Sequence, residues 1–151
     1  MGSHERIGPR IIGGDVHKNQ HINTPRPISI LLGGTFDPVH KGHIAIAEHL
    51  LSTYPANQVE LLPNATPPHK TSLASPQQRL DMLHLAIKNH PQLSINLCEL
   101  NNNDTHYTID TLQLLSATLK NTTLCFAMGM DSFNQMNSWK NYRDILTYCH
   151  L

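Results

Sequence analysis

The stretch LLGGTFDPVHKGHIAIAEHLL, residues 31–51, decides the fold of this chain. It overlaps the apolar run ISILLGG (28–34), which is typical of a buried strand that ends in glycines. It continues into HIAIAEHLLSTY (43–54), where apolar residues recur at helical spacing. The free backbone N–H groups at the start of such a helix favour phosphate. The stretch therefore predicts a strand, a glycine-rich loop and a helix whose first turn suits an anion.

The rest of the chain alternates strand and helix in the same way. Further strands are predicted from the runs QVELLP (58–63), LSINLCEL (93–100) and TTLCFAMG (122–129). Helices are predicted from a capping box at Ser75–Gln78, over YTIDTLQLLSATLK (107–120) and from Asp131. This order predicts an α/β fold with a Rossmann-like, doubly wound parallel sheet.

Composition narrows the function classes. The chain has 151 residues, enough for one domain. Its formal net charge is zero, so the basic surface typical of nucleic-acid-binding proteins is not indicated. Three cysteines without a CxxC pair are typical of a reduced, cytoplasmic protein. No apolar run has the length of a membrane span or the position of a signal-peptide core, so no membrane contact is predicted.

Two regions differ in composition. Residues 1–27 are rich in Gly, Pro, Asn and His without a sustained period, and are predicted to be a disordered leader or extension. Residues 28–151 are predicted to form the domain.

Two histidines stand at the start of the first helix. His40 and His43 are three residues apart, so in a helix they share one face and could bind a polyphosphate together. Gly33 and Gly34 would let the backbone turn sharply against the ligand, and Thr35 places a hydroxyl there. Two alternatives remain: ordinary polar residues at a helix start, or half of a zinc site, for which no Cys or acidic partner stands at ligand spacing.

Ligands bind beyond the carboxyl ends of the strands in such sheets. The candidate residues follow the four predicted strands at Gly33–His43, Pro67–Lys70, His106–Thr108 and Gly129–Ser132.

These motifs resemble a known family. GGTFDPVHKGH (33–43) resembles the signature of the nucleotidyltransferases that carry a His-x-Gly-His motif. Within that superfamily, four later segments resemble bacterial nicotinate-nucleotide adenylyltransferases: LLPNATPPHK (61–70), RLDMLHLAI (79–87), ELNNNDTHYTIDTL (99–112) and FAMGMDSFNQMNSWKNYRDIL (126–146). The resemblance implies the nucleotidyltransferase fold.

It also implies a reaction and a site. The adenylyl group of ATP, with Mg²⁺, would pass to nicotinate mononucleotide, giving deamido-NAD and pyrophosphate in NAD biosynthesis. The implied catalytic residues are His40 and His43, with no protein metal ligand. The implied ATP-binding residues are Gly33, Gly34, Thr35, Phe36, His40, His43 and Asp131. The implied substrate-binding residues are His69, Lys70, Tyr107, Thr108 and Trp139.

Several of these residues have structural alternatives. Thr108 and Asp131 could cap helices, and Trp139 could pack in the core. His69 and Lys70 could belong to a solvated loop. Arg79 could contact phosphate or serve the structure. The four methionines at 82, 128, 130 and 136 are expected to pack, and Cys98 and Cys125 are expected to be buried in strands.

The chain departs from the family pattern at two places. Lys140 follows Trp139 where some relatives carry an aromatic residue. A later Ser/Thr-rich motif with Ile and Arg is absent, so the domain is expected to be incomplete at its C-terminus. A nucleotide-binding fragment without turnover and a phosphopantetheine adenylyltransferase are therefore kept as alternatives. The sequence leaves the oligomeric state open and is compatible with a homo-oligomer.

Overall fold

The computed structural model describes residues 25–65, 74–100 and 107–151. His69, Lys70 and residues 1–24 of the predicted leader lie outside the described residues. The strands are β1 (Ile28–Gly34), β2 (Ala56–Pro63), β3 (Leu93–Ile95) and β4 (Thr123–Ala127). The helices are α1 (Lys41–Thr53), α2 (Pro76–Ile87), α3 (Thr108–Thr118), α4 (Met130–Asn134) and α5 (Ile145–Tyr148). Single 3₁₀ turns lie at Met136–Ser138 and Tyr142–Asp144.

The four strands form one parallel sheet in the order β3-β2-β1-β4. The chain moves outward from β1 through β2 to β3, and then returns to place β4 on the other side of β1. The strand order therefore reverses between β1 and β4. In open α/β sheets, the crevice at the carboxyl ends of two such strands is the usual ligand site. This topology confirms the predicted α/β fold.

Helices cover both faces of the sheet. On one face, Ile30 and Leu32 of β1 join a buried cluster with Ala47 of α1 and Leu83 of α2. On the other face, Leu31 joins a second cluster that includes residues of α3 and α5. A strand that is buried on both faces needs apolar residues at consecutive positions, which explains the run ILL at 30–32.

The predicted start of α2 is confirmed in detail. Ser75 Oγ accepts a hydrogen bond from Gln78 N at 3.2 Å, and Gln78 Oε1 accepts one from Ser75 N at 2.9 Å. Pro76 is the first helical residue, where its missing N–H costs nothing. This capping box fixes where α2 begins, and so where Arg79 lies.

The third strand is shorter than predicted. It ends at Ile95, one residue before Asn96, whose backbone N–H still donates to the carbonyl of Leu61 on β2 at 2.8 Å. Asn96 Oδ1 accepts from Cys98 N at 3.1 Å, and its Nδ2 donates to Glu60 at 2.8 Å. The placement of Cys98 in a strand was therefore wrong, whereas Cys125 does lie in β4. Burial raises the pKa of Cys98 to about 11, so its thiol stays protonated.

Beyond α5, His150 pairs with the outer edge of β4. Its N–H donates to the carbonyl of Leu124 at 2.9 Å, and its carbonyl accepts from Phe126 N at 2.7 Å. Strand-like pairing with β4 thus begins again at His150. In the described ranges, no helix is both long enough and apolar enough to span a bilayer.

Candidate functional site

The loop after β1 runs from Thr35 to His40 and lies where the strand order reverses. Its turn depends on Phe36, which has a positive φ of 50°. The described glycines all have negative φ, so the predicted sharp turn at Gly33 and Gly34 was wrong. A Cβ at Gly33 would stand 2.6 Å from the Phe126 ring, and one at Gly34 would stand 3.1 Å from the Phe36 ring. A side chain at Gly33 would clash with the Phe126 ring, whereas one at Gly34 would need the Phe36 ring to shift slightly.

The two histidines come together as predicted. α1 begins at Lys41, and His40 is its N-cap residue with extended backbone angles. The imidazole rings of His40 and His43 stack with their centroids 3.8 Å apart and their planes at 28°. The backbone N–H of His40 donates to Nδ1 of His43 at 3.2 Å. The pair is therefore held by the helix start itself.

That hydrogen bond determines the tautomer of His43. A backbone N–H always carries its proton, so Nδ1 must act as an acceptor. In the neutral imidazole the proton is then on Nε2, which is left as a donor. Burial lowers the pKa of His43, and the nearby His40 lowers it further. At neutral pH, His43 is therefore a neutral Nε2–H donor.

Gly42, between the histidines, has a steric role that the sequence did not reveal. A Cβ on it would stand 3.0 Å from both Cε1 and Nδ1 of His40. Glycine in the first turn of α1 thus leaves room for the His40 ring over the backbone. The available signal was its position, because glycine inside a helix costs about 1 kcal/mol relative to alanine.

Arg79 is the second residue whose role the sequence left undecided. It is fully buried, and its Nη1 donates to the carbonyls of Thr35 at 2.8 Å and Asn64 at 2.9 Å. Both partners are backbone atoms at the carboxyl ends of β1 and β2. Arg79 therefore holds the backbone at these two strand ends, beneath the candidate site.

The start of α3 differs from the sequence expectation. Tyr107 is the N-cap residue and Thr108 is the first helical residue, so the alternative that Thr108 caps this helix was wrong. Lys140 Nζ lies 3.2 Å from Asp110 Oδ2 and 4.7 Å from the centroid of the Tyr107 ring. Lys140 thereby joins the segment that carries Trp139 to the first turn of α3. Trp139 itself is half-buried against the core on this face.

Asp131 is exposed in the first turn of α4, where Gly129 is the N-cap residue. The alternative that Asp131 caps this helix was therefore wrong. A Cβ on Gly129 would stand 2.6 Å from Asp131 Oδ1, so the carboxylate lies over this glycine. Met130 is 70% exposed, which contradicts its expected packing role.

No group of three or more His, Cys, Asp or Glu side chains with metal-ligand geometry occurs within the described ranges. A shallow groove of about 490 Å³ lies between α1 and α2 and includes His40 but neither Thr35 nor His43. The candidate site is instead the reversal point between β1 and β4. The His pair and the Thr35 loop lie there, and α4 begins just beyond the end of β4.

Comparison with known proteins agrees with this geometry. Residues 31–151 match the cytidylyltransferase-like family. The chain belongs to that family. It is 43% identical to a probable nicotinate-nucleotide adenylyltransferase of Coxiella burnetii over 127 residues, covering 83% of this chain and 59% of the relative. It is 43% identical to a protein of the same description from Psychromonas ingrahamii, covering 80% of this chain and 56% of that protein.

Solved structures show the same fold. A Plasmodium falciparum nicotinic acid mononucleotide adenylyltransferase complexed with NaAD superposes with a TM-score of 0.68 at 20% identity, covering 79% of this chain and 60% of that chain. A putative nicotinate-nucleotide adenylyltransferase from Vibrio parahaemolyticus superposes with a TM-score of 0.68 at 18% identity. The match covers 82% of this chain and 71% of that chain. These similarities confirm the resemblance predicted from the sequence. The chain spans about three fifths of the length of the curated relatives it matches.

Proposed function

We propose that this chain carries the reaction centre of a nicotinate-nucleotide adenylyltransferase, acting in NAD biosynthesis. It would transfer the adenylyl group of ATP to nicotinate mononucleotide, giving deamido-NAD and pyrophosphate. The observation that carries the proposal is the stacked His40–His43 pair at the strand-order reversal. The similarity to proteins described as probable nicotinate-nucleotide adenylyltransferases supports this choice within the family.

The chemistry explains why two histidines suffice. A phosphate oxygen of nicotinate mononucleotide attacks the α-phosphorus of ATP in line. The bond to the β-phosphate bridging oxygen breaks, and pyrophosphate leaves with the electron pair. The nucleophile is already an anion, so no strong base is needed. The protein must align two anions and stabilise the charge that develops on the leaving group.

His43 is proposed to meet this demand through its Nε2–H, which stays a donor when the ring is neutral. His40 donates beside it, and the N-terminus of the 13-residue α1 adds its free N–H groups and dipole. These donors are preorganised, because the His43 ring is held by a backbone hydrogen bond before any ligand binds. Preorganised donors contribute most where charge develops in the transition state.

The remaining ATP contacts are proposed along β1 and α4. Gly33, Gly34 and the Thr35 hydroxyl would lie against the nucleotide. Phe36 is 2% exposed and its ring lies in the core, so the contact proposed there is assigned to its backbone. Asp131, exposed above Gly129, would face the nucleotide from β4. Mg²⁺ is proposed to arrive with ATP, bound by phosphate oxygens and water, which suits its octahedral preference.

The pyridine nucleotide is proposed to bind at the start of α3. Free N–H groups at the N-terminus of this 11-residue helix suit a carboxylate. Thr108 would hold the nicotinate carboxylate, and Tyr107 and Trp139 would line the ring. His69 and Lys70, outside the described residues, are proposed from the resemblance alone to face the phosphates. The cytoplasm, where both substrates occur, is the proposed location, and a homo-oligomer is compatible with it.

The test is an end-point assay on the 151-residue chain with Mg²⁺ and ATP. Nicotinate mononucleotide, nicotinamide mononucleotide and phosphopantetheine are supplied in parallel, and pyrophosphate and the adenylylated products are measured. Product chiefly from nicotinate mononucleotide supports the proposal. Product chiefly from phosphopantetheine, or ATP binding without turnover in a folded sample, contradicts it.

A further inference from the structure

Arg79 is the largest fully buried side chain among the residues that the structure describes. Its Nη1 donates to the carbonyls of Thr35 and Asn64, which are 29 positions apart in the sequence. These carbonyls follow the ends of β1 and β2. One guanidinium nitrogen therefore holds together the two backbone segments that leave the sheet beneath the candidate site.

The burial of this charge is expensive, because removing a cation from water is unfavourable. Nε and Nη2 of Arg79 have no hydrogen-bond partner within the described ranges. Burial lowers the pKa of Arg79, and the negative charge of Asp37 partly opposes this. The two described hydrogen bonds of Nη1 are thus made by a charged group that is costly to bury.

The contact with Thr35 leads directly to the histidine pair. Thr35 is followed by Phe36, which holds a positive φ of 50° and is 2% exposed. The Phe36 ring meets the His43 ring edge to face, with centroids 4.9 Å apart and planes at 71°. Fixing the Thr35 carbonyl fixes the peptide plane that enters Phe36. The orientation of the Phe36 ring against His43 depends on that plane.

We propose that Arg79 is a positioning residue for His43, acting through the Thr35 carbonyl and the Phe36 ring. Arg79 reaches no reacting atom itself. It holds the backbone so that Phe36 covers one edge of His43, while the His40 N–H holds Nδ1. The kinetic part of this inference depends on the proposed function, whereas the effect on the His43 ring does not.

The test compares Arg79→Lys with Arg143→Lys. Lysine keeps the positive charge but lacks the planar fork, so it cannot reproduce the guanidinium geometry. Arg143 is exposed and donates only to Tyr142 in the described structure, so Arg143→Lys is the matched control. The His43 ring is followed by NMR titration, and steady-state kinetics are measured with ATP and nicotinate mononucleotide.

For Arg79→Lys we expect the His43 pKa to rise toward its ordinary value, because a loosened Phe36 ring lets water reach the imidazole. We expect kcat to fall by about 10–100-fold with little change in KM, the signature of a displaced transition-state donor. In a His43→Ala background, Arg79→Lys should lower kcat by no more than about a further twofold, because the residue through which Arg79 acts is already removed. Arg143→Lys should leave all values unchanged.

A folded Arg79→Lys protein with an unchanged His43 titration overturns the inference, whatever its kinetics. If Arg79→Lys does not fold, Phe36→Leu takes its place, since it removes the ring contact and leaves the Arg79 hydrogen bonds. The same rise in the His43 pKa is then required, and its absence overturns the inference. A wild-type chain without turnover contradicts the proposed function alone, because the titration still tests Arg79.

Discussion

The backbone N–H of His40 donates to Nδ1 of His43 at 3.2 Å, across the first turn of α1. Each residue thereby has a different task at the helix start: His40 caps the backbone, and His43 accepts its N–H. The bond exists only while Nδ1 is unprotonated. The contact therefore sets the ring orientation and the tautomer of His43, while burial and the nearby His40 keep its charge neutral.

A dependence of stability on pH follows from the lowered pKa of His43, which is caused by burial and by the nearby His40. The pKa of His43 in the folded chain is below the ordinary value of 6.5, whereas the unfolded chain has that value. As the pH falls from the ordinary pKa toward the folded-state pKa, His43 becomes protonated in the unfolded state but stays unprotonated in the folded state. The free energy of unfolding therefore decreases from about pH 6.5 down through the folded-state pKa, and then levels off.

Urea unfolding of the wild type and of His43→Gln between about pH 5 and 8 checks this prediction. Glutamine has no titration, so other histidines cancel in the comparison. The stability of the wild type relative to the variant should fall as the pH is lowered. A difference that stays constant, or grows toward low pH, would show that His43 is not depressed in the folded chain.

Gly42→Ala separates activity from stability. The added Cβ would stand 3.0 Å from two atoms of the His40 ring, which is exposed and able to move away. Alanine also favours the helix by up to about 1 kcal/mol. We expect a thermal unfolding midpoint equal to or above that of the wild type, together with at least about a tenfold loss of kcat. Unchanged kcat would mean that the His40 position does not matter for the reaction.

Gly33→Ala is expected to lower the stability of the fold, in contrast to Gly42→Ala. Its Cβ would stand 2.6 Å from the Phe126 ring, which is 4% exposed and has no room to move. Overpacking of this kind costs about 1–3 kcal/mol. Gly129→Ala is the matched control, because its Cβ meets only the exposed Asp131 carboxylate. Chemical denaturation should show a large decrease in the free energy of unfolding for Gly33→Ala and a small one for Gly129→Ala. Equal decreases would refute the packing argument.

Lys140→Met tests the proposed pyridine site. The Lys140–Asp110 ion pair is exposed, so its loss should cost at most about 1 kcal/mol of stability. Its ammonium stands against the Tyr107 ring at the start of α3, where the proposed carboxylate would bind. We expect the ratio of kcat/KM for nicotinate over nicotinamide mononucleotide to fall. Lys120→Met, at another exposed lysine, should leave the ratio unchanged; an unchanged ratio in Lys140→Met would place the carboxylate elsewhere.

The elements predicted correctly are those set by local sequence. The α2 start follows from Ser75, Pro76 and Gln78, whose capping contacts span only three positions of the sequence. The His40–His43 pair is likewise local, because three-residue spacing places both rings on one turn. Such contacts can be deduced without knowledge of the tertiary structure.

The features that sequence did not reveal depend on distant partners. Arg79 meets Thr35, 44 positions away, and nothing near Arg79 in the sequence indicates that contact. Gly33 is required by the ring of Phe126, which reaches it only because β4 pairs with β1. β3 pairs with β2 at only three positions, and Asn96 just beyond it bonds to Glu60 on that neighbouring strand. Each feature needed the sheet order before it could be predicted.

The most direct test of the central claim is the rate of deamido-NAD formation from ATP and nicotinate mononucleotide in the wild type, His43→Ala and His49→Ala. His49 is an exposed histidine on the same helix whose Nε2 faces only Thr53, which makes it a matched control. We expect turnover in the wild type, a loss of about 10²–10³-fold in kcat for His43→Ala, and wild-type rates for His49→Ala. A folded His43→Ala protein within about tenfold of the wild type would contradict the assignment of His43 as the reaction-centre donor.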